Sequence, residues 1–205
     1  MSASPAAPKR LGIFGGAFDP PHMAHLALVE AALEQLQLDT LYVFPTGHAW
    51  HKARALSAAR HRIAMAELAF AGLPQVRVDA RETLRGGPSY TVDTLRELHA
   101  EHPGTVLFLV IGQDQAAALQ SWHEWSAVVQ LAIICVAARI DSTGITPKFS
   151  APPGLEPRFL QLGLPVLPVS ATDIRARAAA DQTIAPMVSE AVARYIVYHH
   201  LYRST

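Results

Sequence analysis

The chain has 205 residues, half of them hydrophobic and 17% charged, enough apolar material for one buried core and too much for a disordered chain. Seventeen basic residues cancel seventeen acidic ones. That balance argues against a protein living on the phosphates of long nucleic acids, but leaves room for a charged small molecule held by a few local residues.

Residues 1–9, rich in Ser, Ala and Pro, are expected to be a disordered tail without the apolar stretch of a secretory signal. Short apolar, β-branched or aromatic runs predict strands over residues 10–14, 40–44, 76–79, 105–111 and 131–137. Most are uniformly apolar rather than alternating, which suits a parallel sheet covered on both faces. Cys135, the single cysteine, falls in the last run and reads as a small core residue. It permits no intramolecular disulfide and no cysteine-based zinc site. Helical spacing joins Leu26, Val29, Leu33 and Leu36, then Ile63, Ala66 and Phe70, then Val92, Leu95 and Leu98. A C-terminal helix carries Val188, Ala191, Val192, Tyr195 and Ile196. Strands alternating with helices predict an α/β fold with right-handed crossovers. Residues 139–157, with four prolines and two glycines, read as a long loop. No run reaches the roughly 18 apolar residues of a membrane span, so a cytoplasmic chain with no membrane partner is expected.

The most informative stretch runs from Gly15-Gly16-Ala17-Phe18-Asp19-Pro20-Pro21 into His22-Met23-Ala24-His25, between the first strand and the first helix. Two glycines at a strand end let a ligand approach the backbone, and the free N–H groups of the next helix suit phosphate. His22 and His25 are three apart and project from the same side. The pair could be a structural cap, a metal site lacking its remaining ligands, or two donors to phosphate oxygens. The glycine pair favours the last. A second helix start, Ser170-Ala171-Thr172-Asp173-Ile174-Arg175, offers Ser170 or Thr172 as a cap and Arg175 as a grip on phosphate. By itself it is an ordinary capped helix; with the first motif it suggests two anion sites on one polyphosphate.

These residues carry a resemblance. The stretch from Gly15 to His25 resembles the HxGH signature of the nucleotidyltransferase superfamily. Its Phe-Asp-Pro spelling, with Ser170 to Arg175, is similar to the bacterial nicotinate-nucleotide adenylyltransferase family. Gly87-Pro88-Ser89-Tyr90-Thr91, Ile111-Gly112-Gln113-Asp114 and Trp122-His123-Glu124-Trp125 match in order, and Tyr195-Ile196 and Leu201-Tyr202 extend the likeness to the end. Two positions depart from the pattern: Ala24 replaces the usual glycine, and no Pro-Pro precedes His51.

The resemblance implies a Rossmann-like doubly wound parallel sheet with helices on both faces, forming one nucleotidyltransferase domain over residues 10–205. It implies transfer of the adenylyl group of ATP to nicotinate mononucleotide, giving deamido-NAD and pyrophosphate in NAD synthesis. His22, His25 and Arg175 would be catalytic, with Gly15, Gly16, Phe18, Gly112, Asp114, Ser170 and Thr172 binding ATP. His51, Lys52, Ser89, Tyr90, Thr91 and Trp122 would bind the mononucleotide, the backbone amides at Ser89 to Thr91 receiving its carboxylate and Trp122 stacking on its ring. Each has a bland alternative: Asp114 could simply cap a helix over residues 115–119, and Trp122 could be core. Mg2+ would arrive on the ATP phosphates, leaving no metal site in the protein. Asp79 and Glu82 read as surface acids. The resemblance does not decide whether the chain forms homo-oligomers. Adenylyl transfer to nicotinamide mononucleotide or another phosphate acceptor is the alternative within the superfamily, and a non-catalytic nucleotide sensor the alternative outside catalysis. No Gly-x-Gly-x-x-Gly follows the first strand, which disfavours an oxidoreductase.

Overall fold

The computed structural model describes residues 7–47, 56–139, 150–165 and 167–203. Strand β1 (Arg10–Gly16) leads into helix α1 (Met23–Gln35), followed by β2 (Thr40–Pro45), α2 (Ala59–Phe70) and β3 (Val76–Val78). A short helix α3 (Arg81–Leu84) and α4 (Thr91–Glu101) precede β4 (Val106–Gly112). Then come α5 (Gln113–Ala117), α6 (Trp125–Leu131), β5 (Ala132–Arg139), β6 (Phe159–Leu164), α7 (Ala171–Ala179) and α8 (Glu190–Tyr198). The six strands form one all-parallel sheet in the order β3-β2-β1-β4-β5-β6. This is the doubly wound arrangement expected from the alternation of apolar runs and helices, with the order reversing between β1 and β4.

Uniform apolarity has its cause in two buried faces. Leu11 and Ile13, Leu107, Leu109 and Ile111, and Ala132, Ile134 and Val136 face a core completed by α4 and α6. Their neighbours Phe14, Phe108, Val110, Cys135 and Ala137 face the opposite core, under α1 and α2. Successive residues point to opposite faces, so a strand buried on both must be apolar throughout. Cys135 is fully buried, and burial pushes its thiol up to about 12, so it is a core residue. A third core joins α2, α7 and α8 through Met65, Ile174, Ala178, Val192 and Ile196.

Several expectations differ from the observed elements. Strand β6 lies unpredicted at the sheet edge, where only Leu162 is buried, so its apolar run is weak. β5 continues through Arg139, and a 3-10 turn at Glu156–Arg158 precedes β6; residues 140–149 of the expected loop lie outside the described residues. Residues 1–6 of the expected tail do too. The helix expected at 115–119 instead begins at Gln113 with Gly112 as its N-cap, so Asp114 sits in the first turn rather than capping it. Glu82 is not a freely solvated acid: it is half-buried, accepts from the Thr94 hydroxyl at 2.8 Å, and desolvation raises its pKa.

Candidate active site

In doubly wound sheets ligands bind outside the carboxyl ends of the strands where the order reverses. Here that point lies between Gly15-Gly16 at the end of β1 and Gly112 at the end of β4. A Cβ at Gly15 or Gly112 would meet nothing within 4 Å, so both positions face open space. At Gly16 a Cβ would touch the Phe18 ring at 3.0 Å. Phe18 itself is buried, edge-on to Phe14, Phe70 and the His25 ring. Its side chain therefore supports His25 from below.

His22 is the N-cap of α1, so both prolines precede the helix. The His22 backbone N–H donates to His25 Nδ1 at 3.1 Å, and the two rings stack with centroids 3.7 Å apart. With Nδ1 accepting, the proton of a neutral His25 ring resides on Nε2. The His22 side chain approaches the His25 backbone N–H in the outline of a capping box, but that N–H is bonded to the His22 carbonyl at 2.8 Å. His22 Nδ1 is thus the one buried side-chain polar atom without a hydrogen bond among the described residues. Burial lowers the His22 pKa to about 4, against a weaker opposing effect of its own backbone, so the ring is neutral at pH 7. A neutral imidazole can still donate from one nitrogen. No three His, Cys, Asp or Glu side chains among the described residues gather into a metal-binding group, so the metal reading of the pair has no partner set.

The structure brings the distant second motif to this turn. Ser170 caps α7, its hydroxyl accepting from the Asp173 N–H at 3.1 Å. Arg175 donates to the Asp19 carbonyl at 2.9 Å and to the Thr172 hydroxyl at 3.1 Å. Residues 156 positions apart thereby flank one strand end.

Of the remaining assigned residues, those at the start of α4 meet the Trp122 segment. Tyr90 is the N-cap of α4, and the Arg85 guanidinium donates to Ser89 Oγ at 2.6 Å. The Tyr90 ring stacks on His123 at 4.2 Å, joining the start of α4 to the Trp122 segment. Trp122 is half-buried and packs against the core on this side of the sheet. Gly112 and Asp114 sit at the end of β4. His51 and Lys52 lie outside the described residues. A cleft of about 370 Å³ beside α6, lined by Trp125, Leu155 and Arg158 among others, contains none of these residues. Its guanidinium is engaged by the Val129 and Gln130 carbonyls. The strand ends, where the polar groups converge, are the better site.

Sequence reasoning missed Asp19, Arg62 and Tyr202, which converge beneath the β1–α1 turn, and His123 beside Tyr90. Asp19 and Arg62 are only 2% and 3% exposed. Asp19 and Tyr202 belong to matched motifs, but burial was the missing signal.

A doubly wound sheet whose first strand runs through two glycines into a His-x-x-His helix start defines a nucleotidyltransferase. Residues 13–177 match the model of the cytidylyltransferase-like family. A probable nicotinate-nucleotide adenylyltransferase of Albidiferax ferrireducens is 62% identical over 96% of this chain and 99% of its own length. One of Methylibium petroleiphilum is 44% identical, over 98% and 95% respectively. The chain belongs to the nicotinate-nucleotide adenylyltransferase family. The fold is shared with a Plasmodium falciparum nicotinic acid mononucleotide adenylyltransferase solved with APC (TM-score 0.73, 18% identity, 95% of this chain and 97% of that one). The same enzyme solved with NaAD superposes with a TM-score of 0.72 at the same identity and coverage.

Proposed function

We propose that this chain joins ATP and nicotinate mononucleotide into deamido-NAD and pyrophosphate, with His22 and His25 as paired donors to the reacting phosphates. The observation that carries the assignment of roles is the stacked histidine pair at the start of α1, directly after the β1 end where Gly15 leaves open space at the sheet's switch point. The acceptor's 5′-phosphate is its own nucleophile, since its second pKa of about 6 leaves it largely ionised at pH 7. One of its oxygens bonds to the ATP α-phosphorus as the bond to the bridging oxygen breaks, and the electron pair leaves with pyrophosphate. No side chain needs to remove a proton. The protein's work is alignment and stabilisation of charge on the transferring group.

His22 suits this as a neutral donor, since burial lowers its pKa to about 4 and keeps the ring uncharged in the working range while one N–H remains. Arg175, held against the β1–α1 turn, supplies positive charge beside the same phosphates. Gly15, Gly16 and Gly112 leave room for backbone contact, Ser170 and Thr172 order the α7 start, and Asp114 accepts from the adenosine ribose. Phe18 serves ATP binding through His25, which its ring supports. Ser89, Tyr90 and Thr91 receive the nicotinate carboxylate at the α4 N-terminus, where the helix dipole favours an anion. Trp122 covers the pyridine ring, and His51 and Lys52 hold acceptor phosphate. Mg2+ enters with ATP, bound mainly by phosphates and water, and no residue is assigned to it.

The test measures pyrophosphate release with ATP and Mg2+, comparing nicotinate with nicotinamide mononucleotide. Strong preference for the acid is expected, and preference for the amide would overturn the acceptor assignment. His22→Ala and His25→Ala should each lower kcat by a factor matching about 2–4 kcal/mol, as for removal of an oxyanion-hole donor. Activity lost only in proportion to thermal stability would make the pair structural.

A further inference from the structure

Between Gly16 and Met23 the chain makes no regular structure, yet the donors assigned above hang from it. Four distant segments fix that turn. From α2, buried Arg62 donates Nη1 to the Ala17 carbonyl and Nε to the Ser57 carbonyl, both at 3.0 Å. The Ser57 N–H donates to Asp19 Oδ2 at 3.1 Å. From α7, Arg175 holds the Asp19 carbonyl. From beyond α8, the Tyr202 hydroxyl donates to Asp19 Oδ1 at 2.8 Å, and in the connection before α8 the Met187 carbonyl accepts from the Met23 N–H at 2.9 Å.

The route taken by Tyr202 is unusual. Just past the end of helix α8, His200 at φ +51° closes a turn in which the Leu201 N–H bonds the Ile196 carbonyl at 3.0 Å. Two residues later Tyr202 is itself left-handed, at φ +67°. Residues other than glycine rarely adopt that conformation, and strain kept in a structure points to something it serves. Here it accompanies delivery of a phenol to a buried carboxylate. Burial and that carboxylate both raise the phenol's pKa, so the group stays a donor.

We propose that Tyr202 is a positioning residue for adenylyl transfer, acting through Asp19 to hold the turn from which His22 and His25 reach the reacting phosphates. Asp19 is three residues before His22, and the His22 N–H is what orients the His25 ring. A turn released from Asp19 Oδ1 swings both donors together, and misplacement by about 1 Å can cost on the order of a hundredfold in rate. The proposal rests on the functional reading above.

Tyr202→Phe keeps the packed ring and removes only the hydroxyl. We expect kcat for ATP and nicotinate mononucleotide to fall about tenfold, equivalent to ~1.4 kcal/mol of barrier, with both KM values within about twofold. Tyr195→Phe is the control, since it deletes a hydroxyl bonded to His61 Nδ1 at 3.0 Å on the adjoining helix without touching Asp19. It should lower thermal stability comparably and leave kcat unchanged. A second readout needs no turnover: nitrogen-15 spectra of the ligand-free protein should show His25 as the Nε2–H tautomer, shifting toward a mixture in Tyr202→Phe. A kcat within twofold of wild type in Tyr202→Phe, or an equal loss in Tyr195→Phe, overturns the proposal. If the unaltered protein converts neither mononucleotide, the proposed function fails by itself. The tautomer spectra then decide, and a His25 spectrum unchanged by Tyr202→Phe overturns the positioning role.

Discussion

Acidification from about pH 7 to about pH 4.5 should destabilise this protein through His22, and His22→Gln isolates the effect. In the unfolded chain this imidazole binds a proton at its ordinary value of 6.5, whereas burial withholds it in the folded protein until about pH 4. Within that window the unfolded state carries the extra proton, so stability falls as pH falls and is regained as pH rises past 6.5. The linkage relation gives a loss of ~2.5 kcal/mol across the interval for the full shift, and about 2 kcal/mol once partial exposure of the ring is allowed for. Urea denaturation at both pH values measures it. Wild type should lose about 2 kcal/mol more than His22→Gln, whose amide does not titrate. Identical pH dependence in the two proteins would refute the reasoning, showing that His22 is accessible to protons and can act as a charged donor.

Other substitutions separate space from stability. Gly15→Ala places its methyl in the open region above β1, so we expect unchanged thermal stability and a raised KM for ATP. Gly47→Ala drives a Cβ into the Glu82 backbone carbonyl, and should cost about 1–3 kcal/mol of stability by overpacking. Trp122→Ala should raise the KM for the mononucleotide more than that for ATP; an unchanged KM would remove Trp122 from the acceptor site. Thr94→Val deletes the buried hydroxyl that donates to Glu82 and accepts from Arg85, with an expected loss of about 1–3 kcal/mol on denaturation.

How much of this was legible follows from the range of the forces involved. Four strands could be read because a sheet buried on both faces requires unbroken apolar runs, as residues 10–14 or 131–137 show directly, and the short edge strand β3 was read from its β-branched valines. The sixth could not, because Phe159–Leu164 buries only one residue and mixes glycine and glutamine into its apolar run. The Gly15 to His25 stretch was also readable, since a turn between a strand and a helix is set by adjacent residues. Cap positions were less secure: Ser170 caps as one of two candidates, whereas Gly112 caps in place of Asp114.

The sequence by itself therefore determined the doubly wound class, the location of the glycine–histidine turn after the first strand and the family to which the chain belongs. Only the tertiary structure decided that Arg175 meets Asp19 and that Tyr90 stacks on His123. It alone showed that Glu82 is half-buried against Thr94, that His22 is neutral, and that Tyr202 reaches a carboxylate 183 residues away. The physical reason is one of distance along the chain. Periodicity and turn chemistry act over a few residues, whereas burial, and the pKa values and hydrogen bonds that depend on it, exist only once remote segments have packed.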